Sequence, residues 1–447
     1  MTQIKGHLIN LVRGWPNPSL LPTQLLSASA QTVLADPSIY STALQYGDDP
    51  GYQPLREAMA TWLHEHYKVE RDPERICISG GASQNIACIL QSYTDPNVTR
   101  AVWIAAPTYH LVCDIFSDAG FSGRLKAFPE DEEGPNIESL ESRLRTFDEG
   151  RLGTKAPVKD HGPYRKFYRH IIYVVPTCAN PSGKTMPVKR RKDLVQLARR
   201  HDALIICDDV YDFLQWPVCH DTVLSRVESD ALPEMILPRL CDIDLEMEIS
   251  PNDENGFGYA VSNGSFSKLV GPGMRTGWLE GSRAFVFGLA QTGSTKSGGS
   301  PSQFSAAVIA DMLASRALQN HLATVVRPAL HRRHHIFVQS IQQYLVPLGI
   351  NLRWTGLVGC SIYGGYFVWL TLPEHLSADT VAGACIEESL IVASGTIFQV
   401  KGDSETVDLN AFLRLTFAYV PEEDLVQGVI RLMNVIQKLL EKEIRYS

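Results

Sequence analysis

The sequence predicts an α/β architecture, with a large lobe on a mostly parallel sheet flanked by helices and a small α+β lobe after it. Three observations predict it. At 447 residues the chain exceeds one compact core, so two lobes are expected. Its middle alternates short apolar runs with amphipathic helical stretches, the rhythm of repeated βαβ units. Its last part reads as helix, strands and helix.

Taken in order, Arg75-Ile-Cys-Ile-Ser ends in Gly80-Gly-Ala-Ser and enters a helix-like segment over 86–93. Ala101-Val-Trp-Ile-Ala-Ala ends in Pro107-Thr-Tyr109, and His170-Ile-Ile-Tyr-Val-Val ends in Pro176-Thr-Cys-Ala-Asn180-Pro-Ser-Gly183. A helical stretch, 189–201, precedes Ala203-Leu-Ile-Ile-Cys, which ends in Asp208-Asp-Val-Tyr211. Tyr259-Ala-Val-Ser-Asn leads into a loop ending at Lys268. Five expected strands therefore deliver polar or aromatic residues at their carboxyl ends, where open α/β sheets bind ligands.

Two segments read as surface excursions. One, 130–166, has an acidic start and a mixed-charge helix, and the other, 216–258, is acidic without clear periodicity. The small lobe is expected from a charged helix over 327–345, strand-like runs at Gly365-Tyr-Phe-Val-Trp-Leu and Phe412-Leu-Arg-Leu-Thr-Phe, and an amphipathic helix over 422–442. The boundaries that follow are 1–46 for an N-terminal arm and part of the small domain, 47–325 for the large domain and 326–447 for the small C-terminal domain.

Bulk properties narrow the function classes. A hydrophobic content of 44% with 20% charged residues is that of an ordinary soluble protein. The net charge of −8, without a long basic run, argues against nucleic acid or an anionic membrane surface as partner. The N-terminus lacks a signal-peptide pattern and no long apolar stretch occurs, so a cytoplasmic protein is expected. Nine cysteines stand singly, without a Cys-x-x-Cys pair, which suits buried reduced thiols. No metal site is expected.

The chemistry concentrates in Gly264-Ser-Phe-Ser-Lys268-Leu-Val-Gly-Pro-Gly-Met-Arg275. A lysine amine condenses with an aldehyde cofactor, while hydroxyls, backbone N–H groups and an arginine are what a phosphate requires. Pyridoxal 5′-phosphate carries an aldehyde and a phosphate. A Gly- and Ser-rich surface loop is the plain alternative for this segment alone, but the strand-end motifs stand with it in order.

With these motifs in place the chain resembles the fold-type I pyridoxal-phosphate enzymes, the class I/II aminotransferases, in the branch similar to aminoadipate, kynurenine and aromatic aminotransferases. The resemblance runs from Leu11-Val-Arg-Gly-Trp-Pro to Leu413-Arg-Leu-Thr-Phe. It implies the aspartate aminotransferase-like fold. Lys268 then resembles the lysine that bonds to the cofactor and moves a proton between the substrate α-carbon and cofactor C4′. Asp208 resembles the carboxylate that keeps the pyridine nitrogen protonated, with Asp209 as the competing candidate. Asn180 and Tyr211 would hydrogen-bond the phenolic oxygen, and Tyr109 would stack on the ring. Ala82, Ser83, Ser265, Ser267 and Arg275 would hold the phosphate. Tyr46 resembles the tyrosine that reaches a neighbouring subunit's phosphate, which implies a homodimer with shared active sites. Arg414 resembles the arginine that grips the substrate α-carboxylate, and Gly14 and Trp15 stand where the family covers the substrate. Trp15 points to aromatic or apolar amino acids.

Other motifs fail. Gly183-Lys184-Thr185 ends like a nucleotide-binding loop, but the glycine required five positions earlier is Cys178. His64-Glu-His66 and His331-Arg-Arg-His334-His335 lack a metalloprotease spacing and are expected on solvated helix faces. The expected activity is transamination between an L-amino acid and a 2-oxo acid by a ping-pong mechanism. Elimination, replacement or cyclisation on the same site is the alternative. A regulator keeping only the fold would need a DNA-binding module, and the chain begins at the arm.

Overall fold

The computed structural model describes residues 6–150, 156–218, 236–353, 356, 362–403 and 407–446. Its main sheet runs, edge to edge, through Ile76–Ser79, Gly277–Glu280, Ala260–Ser265, Ala203–Asp208, His170–Val174, Ala101–Ala106 and Leu125–Asp131, with the short Gly134–Pro135 hairpinned onto the end. All five strands expected from the sequence are there, and those from Ala260–Ser265 to Leu125–Asp131 are parallel. Gly277–Glu280 runs antiparallel between its two neighbours.

Near-continuous apolar runs suit a sheet covered on both faces. At its edge the period of two is visible: Ile76, Ile78 and Trp278 join one apolar core, while Cys77 and Leu279 join the other. Helix Ala82–Tyr93 buries Ile86, Ile89, Leu90 and Tyr93, and Val188–Arg200 buries Leu194, Val195, Leu197 and Ala198, each along one stripe.

A second, antiparallel sheet is ordered Asn351–Leu352, Phe367–Thr371, Phe412–Thr416, Ala393–Ser394. Helices Arg327–Tyr344 and Glu422–Tyr446 pack on each other beside it. Ile9–Asn10 pairs in parallel with Leu390–Ile391, so the N-terminal segment is anchored to the C-terminal part of the chain. Among the described residues no helix is long and apolar enough to cross a membrane.

Three expectations need correction. In the 130–166 excursion, helix Ile137–Glu149 is capped by the Asn136 side chain and inserts Leu140 and Leu144 into the core. That i, i+4 apolar pair is a core stripe hidden among charges. In the 216–258 excursion, residues 219–235, Cys219 among them, lie outside the described residues, but Trp216 and the first five residues of helix Leu240–Glu246, Leu240 to Asp244, are buried. The charges there read as solvated because their partners are distant in sequence: buried Arg239 pairs with Glu280 at 2.6 Å, Asp242 with Arg75 at 3.2 Å and Asp244 with Arg199 at 2.7 Å. Of the five histidines expected on solvated faces, only His64 is exposed. His66 packs on Phe213 and His334 stacks on Tyr363, and burial lowers both imidazoles to about 3.

Candidate active site

Parallel strands open their carboxyl ends along one edge of the main sheet. There lies a cavity of about 470 Å³, lined by residues from every strand-end motif.

Lys268 closes the single turn Phe266–Lys268, which Ser265 caps by accepting from the Ser267 N–H at 3.2 Å. Its Nζ donates to the Gly14 carbonyl at 2.6 Å and sits 5.3 Å from the centre of the Tyr366 ring. Burial lowers its pKa to about 8, with the Asp208 carboxylate opposing the shift and the Arg414 guanidinium adding to it.

Asp208 ends strand Ala203–Asp208 and is buried in the cavity wall. Its Oδ2 accepts from the Tyr173 hydroxyl at 2.6 Å, and its Oδ1 has no hydrogen-bond partner. Burial raises the carboxyl to about 6, against the pull of Tyr173 and Lys268. Asp209 does not line the cavity. It accepts from Ser262 Oγ at 2.5 Å, and burial together with neighbouring Asp212 holds its pKa well above the usual carboxylate range.

Helix Ala82–Tyr93 begins at Gly81 with no side chain capping its first turn, so Ala82 and Ser83 present the amino end of the helix to the cavity. Arg275 folds over that turn, donating to the Gly80 carbonyl at 2.8 Å and the Pro272 carbonyl at 3.0 Å. Gly81, at φ +110°, is required here, since a Cβ would fall 2.8 Å from Arg275 Nη2. Ser265 and Ser267 complete this end.

At the opposite end Arg414, 6% exposed, lies between the rings of Phe367 at 4.0 Å and Phe398 at 4.6 Å. It donates to Asn180 Oδ1 at 2.9 Å and to the Val12 carbonyl at 2.6 Å, while its buried Nε has no partner. Burial lowers its pKa to about 10. Gly14 is a close approach: a Cβ would lie 2.4 Å from Phe367 Cζ. Trp15 is 52% exposed and meets the Tyr419 ring edge-on at 5.7 Å. Tyr109 is half-buried in the wall, and the phenol of buried Tyr211 is pushed well above its usual pKa by burial.

The cavity thus gathers every candidate residue except Tyr46, which lies outside it and is 88% exposed. It also contains residues the sequence reading missed. Arg13 and His110 adjoin Gly14 and Tyr109 in sequence, a signal that was available. Phe367 lines the cavity, and Tyr173, which does not, bonds Asp208; both meetings come from cross-strand register, which no local motif records.

A family model described as aminotransferase class I and II matches residues 17–432. The chain belongs to that family. YER152C, an uncharacterized protein of Saccharomyces cerevisiae, is 32% identical, aligned over 95% of this chain and 96% of its own length. Aromatic-amino-acid aminotransferase 1 of Thermococcus litoralis is 26% identical over 98% of this chain and 90% of its own. The multiple substrate aminotransferase of Thermococcus profundus, a solved structure, shares the fold with a TM-score of 0.76 at 24% identity, covering 98% of this chain and 93% of that one. Class I and II aminotransferases imply pyridoxal phosphate, and the residues here suit it. The unpartnered Asp208 Oδ1 is an acceptor for a ring N–H, the uncapped helix start with Arg275 is an anion cradle, and Lys268 is an amine partly neutral near pH 7.

Proposed function

We propose that this chain is a pyridoxal-phosphate-dependent aminotransferase, moving an amino group from an L-amino acid to a 2-oxo acid in two alternating half reactions. The carrying observation is that Lys268, the unpartnered oxygen of Asp208 and the Arg414 guanidinium share one cavity. When bound, the cofactor supplies an aldehyde for the amine and a ring that accepts electrons. Asp208 would hold the proton on the ring nitrogen. Asn180 and Tyr211 would hydrogen-bond the phenolic oxygen, Tyr109 would stack on the ring, and Ala82, Ser83, Ser265, Ser267 and Arg275 would hold the phosphate.

Arg414 positions the substrate α-carboxylate, for which its unpartnered Nε offers a donor. The α-carbon would then lie within reach of Lys268 Nζ, which would take its proton and deliver it to the cofactor's C4′. Gly14 and Trp15 cover this end and exclude water. Trp15 favours aromatic or apolar amino acids, and a relative named as an aromatic-amino-acid aminotransferase supports that preference.

The working organisation is an arm over 1–46, a cofactor-holding domain over 47–325 and a small domain over 326–447. We propose a homodimer with shared sites, because exposed Tyr46 and Leu44 offer an apolar contact outside the cavity. The seven described cysteines are free and buried, which supports a reducing, cytoplasmic setting; Cys360, like Cys219, lies outside the described residues.

A single-turnover spectral scan of the holoenzyme against an amino-acid panel tests the activity. Loss of cofactor absorbance should match formation of the corresponding 2-oxo acid. Ammonia release without that acid would instead mark elimination. Subunit mixing of Tyr46→Phe with Lys268→Ala tests the dimer: hybrids more active than the parental average support shared sites, and a fully active monomer refutes them.

A further inference from the structure

A second cavity, of about 420 Å³, shares no lining residue with the active site. One stretch of chain separates the two: Asp208, Val210 and Tyr211 line the first, while Asp212, Phe213 and Gln215 line the second. Helix Gln53–Tyr67 adds Trp62, Glu65 and His66 to the second cavity, and the helical stretch that follows Arg316 adds Gln319 and Arg327.

Its wall is aromatic. Trp62 and Phe213 are buried and stack with ring centres 4.0 Å apart, and His66 tilts onto Phe213 at 4.6 Å. Burial holds the His66 imidazole at about 3, so it is neutral. Of the four charged side chains in the lining, three are answered within the protein. Arg316 pairs with Glu65 at 2.8 Å, and Asp212 accepts from the Tyr67 hydroxyl at 2.7 Å. Burial raises the Asp212 pKa against the nearby Arg191 guanidinium, which limits its repulsion of another anion. The fourth is Arg327. It is half-buried, has no ion pair or hydrogen bond among the described residues, and its pKa is lowered by burial with no carboxylate opposing the shift. Gln319 has a second unmet need: its Nε2 donates to the Leu313 carbonyl at 3.2 Å, while its buried Oε1 has no partner. A cation drawn out of water without a counter-ion costs stability, and so does an unpaired amide oxygen. An anion with a donor beside it and a flat apolar body meets all three surfaces.

We propose that this cavity is a second binding site, for a small aromatic carboxylate that carries a hydrogen-bond donor: the carboxylate pairs with Arg327, the donor meets Gln319 Oε1 and the ring lies against Trp62 and Phe213. The probe is 3-phenyllactate, which has all three groups. Calorimetry on the Arg414→Ala holoenzyme reads its binding with the active-site guanidinium removed. It should bind at one site per chain, roughly tenfold or more tighter than lactate, which lacks the ring, or 3-phenyllactamide, which lacks the charge. Adding Arg327→Gln should bring the ratio to the amide close to one, and Arg327→Lys should restore part of it. Ligand-free Arg327→Gln should melt no lower than its parent, because it gives up no partner. Failure of 3-phenyllactate to bind, equal binding of lactate, or a preference that survives Arg327→Gln overturns the site. A lower melting temperature of the ligand-free variant also overturns it, since Arg327 would then be serving the fold.

Discussion

The two ends of the cavity are built differently. The end with Lys268, Asp208, Ala82 and Ser83 is made of strand termini, each carrying its functional residue within a few positions of an apolar run. The end around Arg414 is assembled from segments far apart in the chain: Val12 to Trp15, Asn180, Phe367 and Phe398 all meet one guanidinium or its neighbours. On the proposed function, the first end would do chemistry with residues held by a sheet. The second would recognise substrate with residues held by one another. Substitutions should therefore damage the two ends in different kinetic terms.

The sharpest separation comes from Lys268→Ala, which should cut turnover by at least roughly 10,000-fold while cofactor still binds noncovalently. Borohydride should fix the cofactor to the Lys268 peptide of the native enzyme, and labelling of another lysine would sink the assignment. Next in size, Asp208→Asn should slow the half reaction on the order of 100- to 10,000-fold with little loss of cofactor. If Asp209→Asn is the more damaging change in stopped-flow traces, the assignment of the two carboxylates is reversed.

At the other end, Arg414→Ala should leave the cofactor spectrum intact and raise the KM for amino acids by about 10- to 100-fold. A fall in kcat with unchanged KM would erase the distinction between the ends. The smallest effect is one of pH. The Lys268 amine, lowered to about 8 by burial, must be neutral to attack an aldehyde. Covalent capture of pyridoxal phosphate by the apo-protein should therefore speed up roughly tenfold from pH 7 to pH 9 and then level off. A rise that continues toward pH 10.5 would show that burial leaves this amine unshifted.

The same contrast explains what could be read from sequence. All five central strands and the residues at their ends were legible, because an apolar run followed by Gly-Gly-Ala-Ser or Asp-Asp-Val-Tyr is a local signal. Asp208 over Asp209 followed from family spacing, and the structure gives its physical counterpart in the Tyr173 bond and the Ser262 bond. Tyr173 itself was not legible, since its meeting with Asp208 needs the register of two parallel strands. Nor was the aromatic sandwich on Arg414, whose members are separated by dozens of residues. Helix Leu240–Glu246 was misread for a related reason. Its acidic charges look solvent-facing until Arg75 and Arg199, on segments well before the helix, pair with Asp242 and Asp244.

The carbonyls of Val12 and Gly14 accept from Arg414 and Lys268, residues 402 and 254 positions away. A ribosome releases the N-terminal segment long before it makes strand Phe412–Thr416, and the pairing of Ile9–Asn10 with Leu390–Ile391 is delayed in the same way. Synthesis thus leaves the first turns of the chain idle until nearly the last. Arg414, which holds the Val12 carbonyl, does not yet exist in any chain cut short before residue 414. On the proposed function, a product terminated before Arg414 would have no guanidinium with which to grip an amino acid by its carboxylate.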